Sequence, residues 1–239
     1  MSEIKPYPDQ VDFLKAVNDS WSKGNKNILG IAVTGFGKTL MKAFIAQQFV
    51  NDGKTVVIFA HRDVLLSQIS LSLCDVGIPH KFICSNATKC EIGNAHVTKF
   101  GHSFISEKAN VIVASVLTWI KRDISLLAPL VDLWMIDEAH HTHGDNSWGK
   151  CIEPLVNAKG LGVTATPMRN DNLQLGRDGG GVFDDLVEAV GMGELIKLGR
   201  LSPYRIFTIP SELDLSNVNI TSSGDYNQKK LAAASDKAD

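Results

Sequence analysis

The sequence predicts an α/β fold in which helices cover both faces of a mainly parallel central β-sheet. Short apolar runs of strand length recur along the chain, and most of them are rich in Val and Ile. Helical patterns follow several of these runs. Because two parallel strands must be joined by a crossover, this alternation favours one parallel sheet between two helical layers.

The first predicted element is a helix that Asp9 can cap at its N-terminus and that Gly24 closes. Its apolar residues recur at spacings of three and four, namely Val11, Leu14, Val17 and Trp21. This spacing places them on one face, so we expect that face to pack against the sheet.

Five apolar runs follow this helix and are long enough to form buried strands. They are Ile28–Val33, Thr55–Ala60, Val111–Val116, Leu133–Ile136 and Leu161–Val163. Helices are predicted after the first two runs, with apolar positions at Leu40, Phe44 and Val50 and then at Leu65, Leu66, Ile69 and Leu73. One further strand is predicted at Tyr204–Ile209, and the chain beyond Pro210 is polar.

The composition is that of an ordinary globular protein and excludes several functional classes. Of 239 residues, 44% are apolar and 21% are charged, which excludes disorder over most of the chain. The formal net charge of −2 argues against a broadly basic nucleic-acid coat, so any such contact must use a local patch. No apolar run approaches the roughly 20 residues that a membrane span needs. A polar start and only 4 cysteines predict a cytoplasmic protein with free thiols.

The segment Ala32–Thr39 predicts a phosphate-binding loop, because it follows an apolar strand and opens a helical pattern. Gly35 and Gly37 allow backbone N–H groups to turn toward phosphate oxygens. Lys38 can reach the β- and γ-phosphates, and the Thr39 hydroxyl can ligate Mg²⁺. The positions predicted to contact the nucleotide are Thr34, Gly35, Phe36, Gly37, Lys38 and Thr39.

A second polar site is predicted where the run Leu133–Ile136 ends in two adjacent acids, Asp137 and Glu138. A phosphate-binding loop requires a carboxylate at the end of another strand to hold its metal ion. We expect Asp137 to hold Mg²⁺ through water, and Glu138 to orient and deprotonate the attacking water. The predicted cofactors are therefore ATP and Mg²⁺.

Together, Ala32–Thr39 and the run Asp137-Glu138-Ala139-His140 resemble the motifs of a DExH helicase of superfamily two. The general loop pattern begins with Gly, but Ala is common at this place in the superfamily. Further segments that resemble its motifs follow in the expected order: Tyr7–Gln10, Phe59–Leu65, Ala114–Thr118, Gly162–Arg169, Phe183–Val187 and Glu194–Ile196. The last two are similar to DEAH-type DNA helicases, including phage enzymes of the UvsW kind.

The resemblance implies a three-layer RecA-like P-loop NTPase domain and assigns a role to each motif. At the N-terminus, the Tyr7 ring would stack on adenine and the Gln10 amide would pair with the edge of the base. Nucleic-acid contacts would come from Arg62, Ser115 and Thr118. Hydrolysis would be coupled to nucleic-acid binding by His140, Thr164 and Thr166.

The resemblance also implies partners. Residues 1–203 would form the first RecA-like domain, and residues 204–239 a last strand and a polar linker toward a second RecA-like domain. No Arg-rich motif of that second domain is found, so we expect the chain alone to be a weak ATPase. DNA is the expected substrate, with RNA as an alternative. We expect no membrane partner. A phage-encoded protein would act in the host cytoplasm.

Two other functions fit the same motifs. The first is the motor of a type I or type III restriction translocase, and the second is a nucleotide-dependent nucleic-acid clamp without efficient turnover. Glu138 argues against the clamp, because a protein that only binds does not need a catalytic base.

Two weaker signals remain open. Cys84, Cys90, His96 and His102 recur every six residues, which suggests either a zinc site or, as we favour, incidental loop residues, since the spacing matches no usual zinc signature. Arg177 lies in a Gly-rich stretch at 172–181 that predicts a long loop, and nothing in the sequence fixes its side chain.

Overall fold

Seven parallel strands form a single sheet in the computed structural model, which describes residues 4–142, 146–166, 175–177, 180–205, 218–219 and 230–232. The strands are β1 (Asn27–Ile31), β2 (Thr55–Ala60), β3 (His80–Ile83), β4 (Val111–Ser115), β5 (Val131–Asp137), β6 (Lys159–Thr164) and β7 (Asp185–Glu188). Their order across the sheet is β3-β4-β2-β5-β6-β1-β7. The predicted α/β class and parallel sheet are therefore confirmed.

Seven α-helices connect or flank the strands in the part of the chain that the structure describes. They are α1 (Pro8–Ser22), α2 (Lys38–Asn51), α3 (Asp63–Asp75), α4 (Asn86–Phe100), α5 (Val116–Trp119), α6 (Ser147–Ile152) and α7 (Met192–Lys197). Single 3₁₀ turns lie at Ala128–Leu130 and Ala139–His141.

The sheet separates two hydrophobic cores, because successive side chains of each strand point to opposite faces. On β2, Val56 and Ile58 join the core that packs against α1 to α4, whereas Val57 and Phe59 join the core beneath α5 and α6. This double burial explains why the five central strands are continuous apolar runs and could be predicted from the sequence.

The two edge strands, β3 and β7, were missed by the sequence analysis. Each has four residues, and each includes charged or titratable side chains, with the sequences HKFI and DLVE. An edge strand has a neighbour on one side only and tolerates polar residues, so the apolar run that predicts a central strand is not required there.

Three predictions about α1 and the last predicted strand need correction. Helix α1 begins at Pro8 with Tyr7 at the N-cap, and Asp9 lies in the first turn instead of capping it. Val11 is 47% exposed, and Phe13 takes its place in the core. Tyr204, the start of a predicted strand, lies outside any strand, and residues 206–209 are outside the described ranges.

A buried polar network joins α3, β3 and α4. The Ser70 hydroxyl lies 2.7 Å from Nε2 of both His80 and His96, and the Sγ of Cys74 lies 3.4 Å from Nε2 of His96. His80 donates its Nδ1 proton to the Ile78 carbonyl, which leaves Nε2 to accept from Ser70. Burial lowers the pKa of His80 to about 4, so the ring is neutral at pH 7.

We expect the free energy of unfolding to fall as the pH is lowered through the window between 6.5 and about 4. In that window the unfolded chain protonates His80 and the folded chain does not, so protons favour unfolding. The loss between pH 7 and pH 5 is about 2 kcal/mol from this residue alone. Urea unfolding at both pH values measures it.

His80→Gln should lose the part of the pH dependence that His80 contributes, because glutamine does not titrate. His102→Gln, a change at an exposed histidine, is the matched control and should keep it. An equal loss between pH 7 and pH 5 in the wild type and in His80→Gln would contradict the assignment.

Candidate nucleotide site

The predicted phosphate loop and the predicted acids lie at the same edge of the sheet. Strands β5, β6 and β1 are neighbours, and all three point in the same direction. Their carboxyl ends therefore bring Lys38, Asp137 and Thr164 to one place, although these residues are far apart in the chain. Ligands of open parallel sheets bind at this edge.

The phosphate loop is shaped by two glycines and one buried aromatic ring. Gly35 and Gly37 have φ values of 88° and 94°, in the left-handed region that favours glycine, and Gly37 is the N-cap of α2. Phe36 between them is fully buried and packs edge-to-face with Phe13, with the two ring centroids 5.6 Å apart. The Lys38 ammonium donates to the Ala32 carbonyl at 3.1 Å. The loop is thus folded back on itself at a helix N-terminus, the geometry that favours phosphate.

The Phe36 carbonyl anchors this loop to both ends of the described domain. It accepts a hydrogen bond from Nε2 of Gln10 at 2.6 Å and another from Nη2 of Arg200 at 3.0 Å. Arg200 also donates to both carboxylate oxygens of Asp9, at 2.5 and 2.6 Å, and stacks on the Tyr7 ring at 4.2 Å. Arg200 was missed because no local motif marks it and its hydrogen-bond partners Asp9 and Phe36 lie 191 and 164 residues away in the chain.

Tyr7 and Gln10 differ in their access to a base. Tyr7 is 56% exposed, whereas Gln10 is buried, and its Oε1 accepts from the backbone N–H of Tyr7 at 2.9 Å. Each end of the Gln10 amide therefore has one partner and retains one hydrogen-bonding position. The reading of adenine by these two residues stays a prediction.

Asp137 is buried at the end of β5, and both of its carboxylate oxygens are engaged. Oδ1 accepts from the Glu138 backbone N–H at 3.2 Å, and Oδ2 lies 2.7 Å from Nζ of Lys42. Lys42 belongs to α2, one turn after Lys38, and is fully buried. Burial lowers the pKa of Lys42, and the neighbouring Asp137 carboxylate opposes that shift. The sequence analysis missed Lys42, although a lysine among the buried apolar residues of α2 is a visible signal.

Glu138 has a backbone conformation that no other described non-glycine residue shares, with a φ of 54°. Such strain costs of order 1–3 kcal/mol and is concentrated at functional sites. The Glu138 side chain is 38% exposed, and its Oε2 lies 3.4 Å from Nδ1 of His140. The same ring nitrogen is 2.9 Å from the Thr164 hydroxyl, which also accepts the Thr166 N–H at 3.1 Å. The structure therefore brings the acidic run and the predicted coupling residues into one chain of contacts.

The predicted nucleic-acid contacts lie at the same edge but on the other side of β5. Arg62 is exposed at the start of α3, Ser115 ends β4, and Thr118 lies in α5. Strands β2 and β4 pair with Ala60 opposite Ser115, so Arg62 and Ser115 are close in space. Whether they bind nucleic acid stays a prediction.

The structure places the residues of the two weaker signals. Among the described residues, the one group of three or more potential metal ligands is Cys74, His80 and His96. Of the six-residue repeat, only His96 belongs to this group; Cys84, Cys90 and His102 do not. Arg177, which nothing in the sequence fixes, pairs with Asp184, and residues 167–174, including Arg169, lie outside the described part of the chain.

None of the described helices is long and apolar enough to cross a membrane.

Comparison with known proteins identifies relatives of the described domain. The model of the family described as type III restriction enzyme, res subunit, matches residues 3–169. The 51.5 kDa protein of a Lactococcus phage (isolate 7-9) is 26% identical over 198 residues, covering 82% of this chain and 35% of that protein. The chain therefore spans about a third of the length of that relative.

Solved structures share the fold at low sequence identity. The UvsW helicase from bacteriophage T4 superposes with a TM-score of 0.53 at 20% identity, covering 77% of this chain and 60% of that one. The type ISP restriction-modification enzyme LlaGI, solved with a DNA substrate mimic, gives a TM-score of 0.60 at 17% identity, covering 82% and 21%. The Hef helicase domain from Pyrococcus furiosus gives 0.51 at 22% identity, covering 75% and 37%.

We expect Gly37→Ala to weaken ATP binding by at least about tenfold, because a left-handed conformation costs an L-residue about 1–2 kcal/mol and strains the loop. The new Cβ would also lie 2.8 Å from Nε2 of Gln10, the donor that holds the loop. Titration with ATP measures the loss.

Gly53→Ala is the matched control, since Gly53 has a φ of 73° and a Cβ added there would meet no atom within 4 Å. Both variants should lose stability in urea, because each places an L-residue in the left-handed region, and only Gly37→Ala should lose ATP affinity. Unchanged ATP affinity in Gly37→Ala would show that this loop does not bind the nucleotide.

Proposed function

Because the chain belongs to the family of the type III restriction enzyme res subunit, we propose that it is the ATP-binding and hydrolysing half of a nucleic-acid helicase or translocase. One observation carries this proposal. Lys38 on the phosphate loop, the acids Asp137 and Glu138, and the His140–Thr164 contact converge at one edge of a parallel sheet.

The residues at this edge suit a magnesium nucleotide. Backbone N–H groups at Gly35 and Gly37, the N-terminus of α2 and the Lys38 ammonium favour phosphate oxygens. The Thr39 hydroxyl and the Asp137 carboxylate are hard oxygen donors, which Mg²⁺ prefers, and these two residues would hold the ion. When bound, Mg²⁺ neutralises charge on the phosphates.

Glu138 is the residue that we assign as general base. Its carboxylate has no lysine or arginine partner among the described residues and is partly exposed. It is therefore available to accept a proton from water that attacks the γ-phosphorus. His140 contacts both Glu138 and Thr164, so it links the position of the Glu138 carboxylate to the end of β6.

DNA is the proposed partner of this domain. The type ISP enzymes LlaGI and LlaBIII were both solved with DNA or a DNA mimic. We assign Arg62, Ser115 and Thr118 as contacts to the nucleic-acid backbone, because they lie at the carboxyl ends of β2 and β4 and at the start of the helices that follow. Residues 1–203 would act as the first motor domain and residues 204–239 would lead toward a second one, in the cytoplasm of a phage host.

A restriction translocase is the second candidate, because the matching family is that of a restriction subunit. It uses the same ATP site and differs in what the motor is attached to. A clamp without turnover is the third candidate, and Glu138 disfavours it, since a protein that only binds the nucleotide does not need a catalytic base.

We expect Glu138→Gln to retain MgATP binding and to reduce hydrolysis by about 10²-fold or more, the usual effect of removing a general base. Single-turnover hydrolysis of radiolabelled ATP, with and without double-stranded DNA, measures the rate. Glu153→Gln removes an exposed carboxylate elsewhere and should leave the rate unchanged.

A rate in Glu138→Gln within a few-fold of wild type would show that Glu138 is not the base. ATP binding without measurable hydrolysis in wild type, with or without DNA, would favour the clamp.

A further inference from the structure

Lys42 is the one fully buried lysine in the described part of the chain, and it lies directly behind the proposed metal site. Its Nζ is 2.7 Å from Oδ2 of Asp137, and the lysine and aspartate side chains are 1% and 9% exposed. Lys42 follows Lys38 by four residues on α2, so both lysines lie on the same face of the helix.

This lysine is costly to bury, and an adjacent carboxylate offsets part of the cost. Removing an ammonium from water is unfavourable unless a carboxylate lies beside it. Asp137 supplies that carboxylate, and Glu138 contributes a weaker attraction, whereas Lys38 opposes the charge. An apolar side chain would be easier to bury in this helix, so packing alone does not explain a lysine at this position.

The four charged residues around the site balance one another. Counted as formal charges, Lys38 and Lys42 contribute two positive charges, and Asp137 and Glu138 contribute two negative charges. Without Lys42, the acids would outnumber the lysines and would repel the phosphates of a nucleotide that arrives without a metal ion. Lys42 also holds Oδ2 of Asp137, which fixes the carboxylate in one orientation.

We propose that Lys42 is a positioning residue and a fixed counter-cation, which neutralises Asp137 and allows ATP to bind with little dependence on Mg²⁺. This inference rests on the proposed function, because it concerns the same nucleotide. Lys42 touches Asp137 and not the reacting atoms, so it acts through that carboxylate. Its effect should therefore appear in the magnesium dependence of binding.

The test compares the affinity for a fluorescent ATP analogue in Mg²⁺ with that in EDTA. In Lys42→Met, affinity in EDTA should fall about tenfold or more, the effect of one unpaired charge near the phosphates, and affinity in Mg²⁺ should fall less. The ratio of the affinity in Mg²⁺ to the affinity in EDTA should therefore rise severalfold above that of wild type. Lys54→Met removes an exposed lysine and should leave the ratio unchanged.

The double variant Lys42→Met/Asp137→Asn separates charge from misfolding. It restores the charge balance and leaves no unpaired buried ion, so its affinity in EDTA should return to that of wild type. Circular dichroism shows whether each variant is folded. If the single variant does not fold, the double variant still tests the proposal. A tenfold loss in EDTA in the folded double variant would overturn the proposal.

The outcomes also separate this inference from the proposed function. If wild type binds the analogue and folded Lys42→Met shows the same ratio as wild type, the role of Lys42 is refuted and the ATP site stands. If wild type binds the analogue in neither condition, the proposed function fails and the inference fails with it.

Discussion

The common direction of the seven strands is the constraint on which the rest of the site depends. Parallel strands send every loop after a strand out of the same edge, so segments that are distant in sequence meet there. The phosphate loop after β1 and the acids at the end of β5 flank the end of β6, where Thr164 contacts His140. The Lys42–Asp137 ion pair then ties the helix of the loop to the strand of the acids. No single element could build this arrangement alone.

The parts of the fold that could be predicted from the sequence are those with a local cause. A central strand is buried on both faces and must be apolar, as at Thr55–Ala60, and a phosphate loop needs glycines beside a lysine, as at Gly35 to Lys38. The acidic run could be placed because it directly follows such a strand. The residues of each signal lie close together in the sequence, so the signal can be recognised without knowledge of the tertiary structure.

What the sequence could not predict depends on contacts between distant segments. The residues next to Arg200 in the sequence form no motif that marks it. Its role follows only from its contacts with Asp9, Tyr7 and the Phe36 carbonyl, which lie near the other end of the chain. The His80 and His96 network has the same origin, because three elements supply it. Edge strand β3 has too few apolar residues to be predicted as a strand from the sequence. Only its pairing with β4 in the structure identifies it.

The central claim is that MgATP binds near Lys38, at the edge of the sheet where the carboxyl ends of the strands lie. Isothermal titration of the wild-type chain and of Lys38→Ala with MgATP tests it most directly, with unfolding in urea to confirm that both are folded. We expect wild type to bind one equivalent of nucleotide, and Lys38→Ala to bind at least about tenfold more weakly, because a charge on the β- and γ-phosphates is lost. Equal affinity in the two folded proteins would contradict the account.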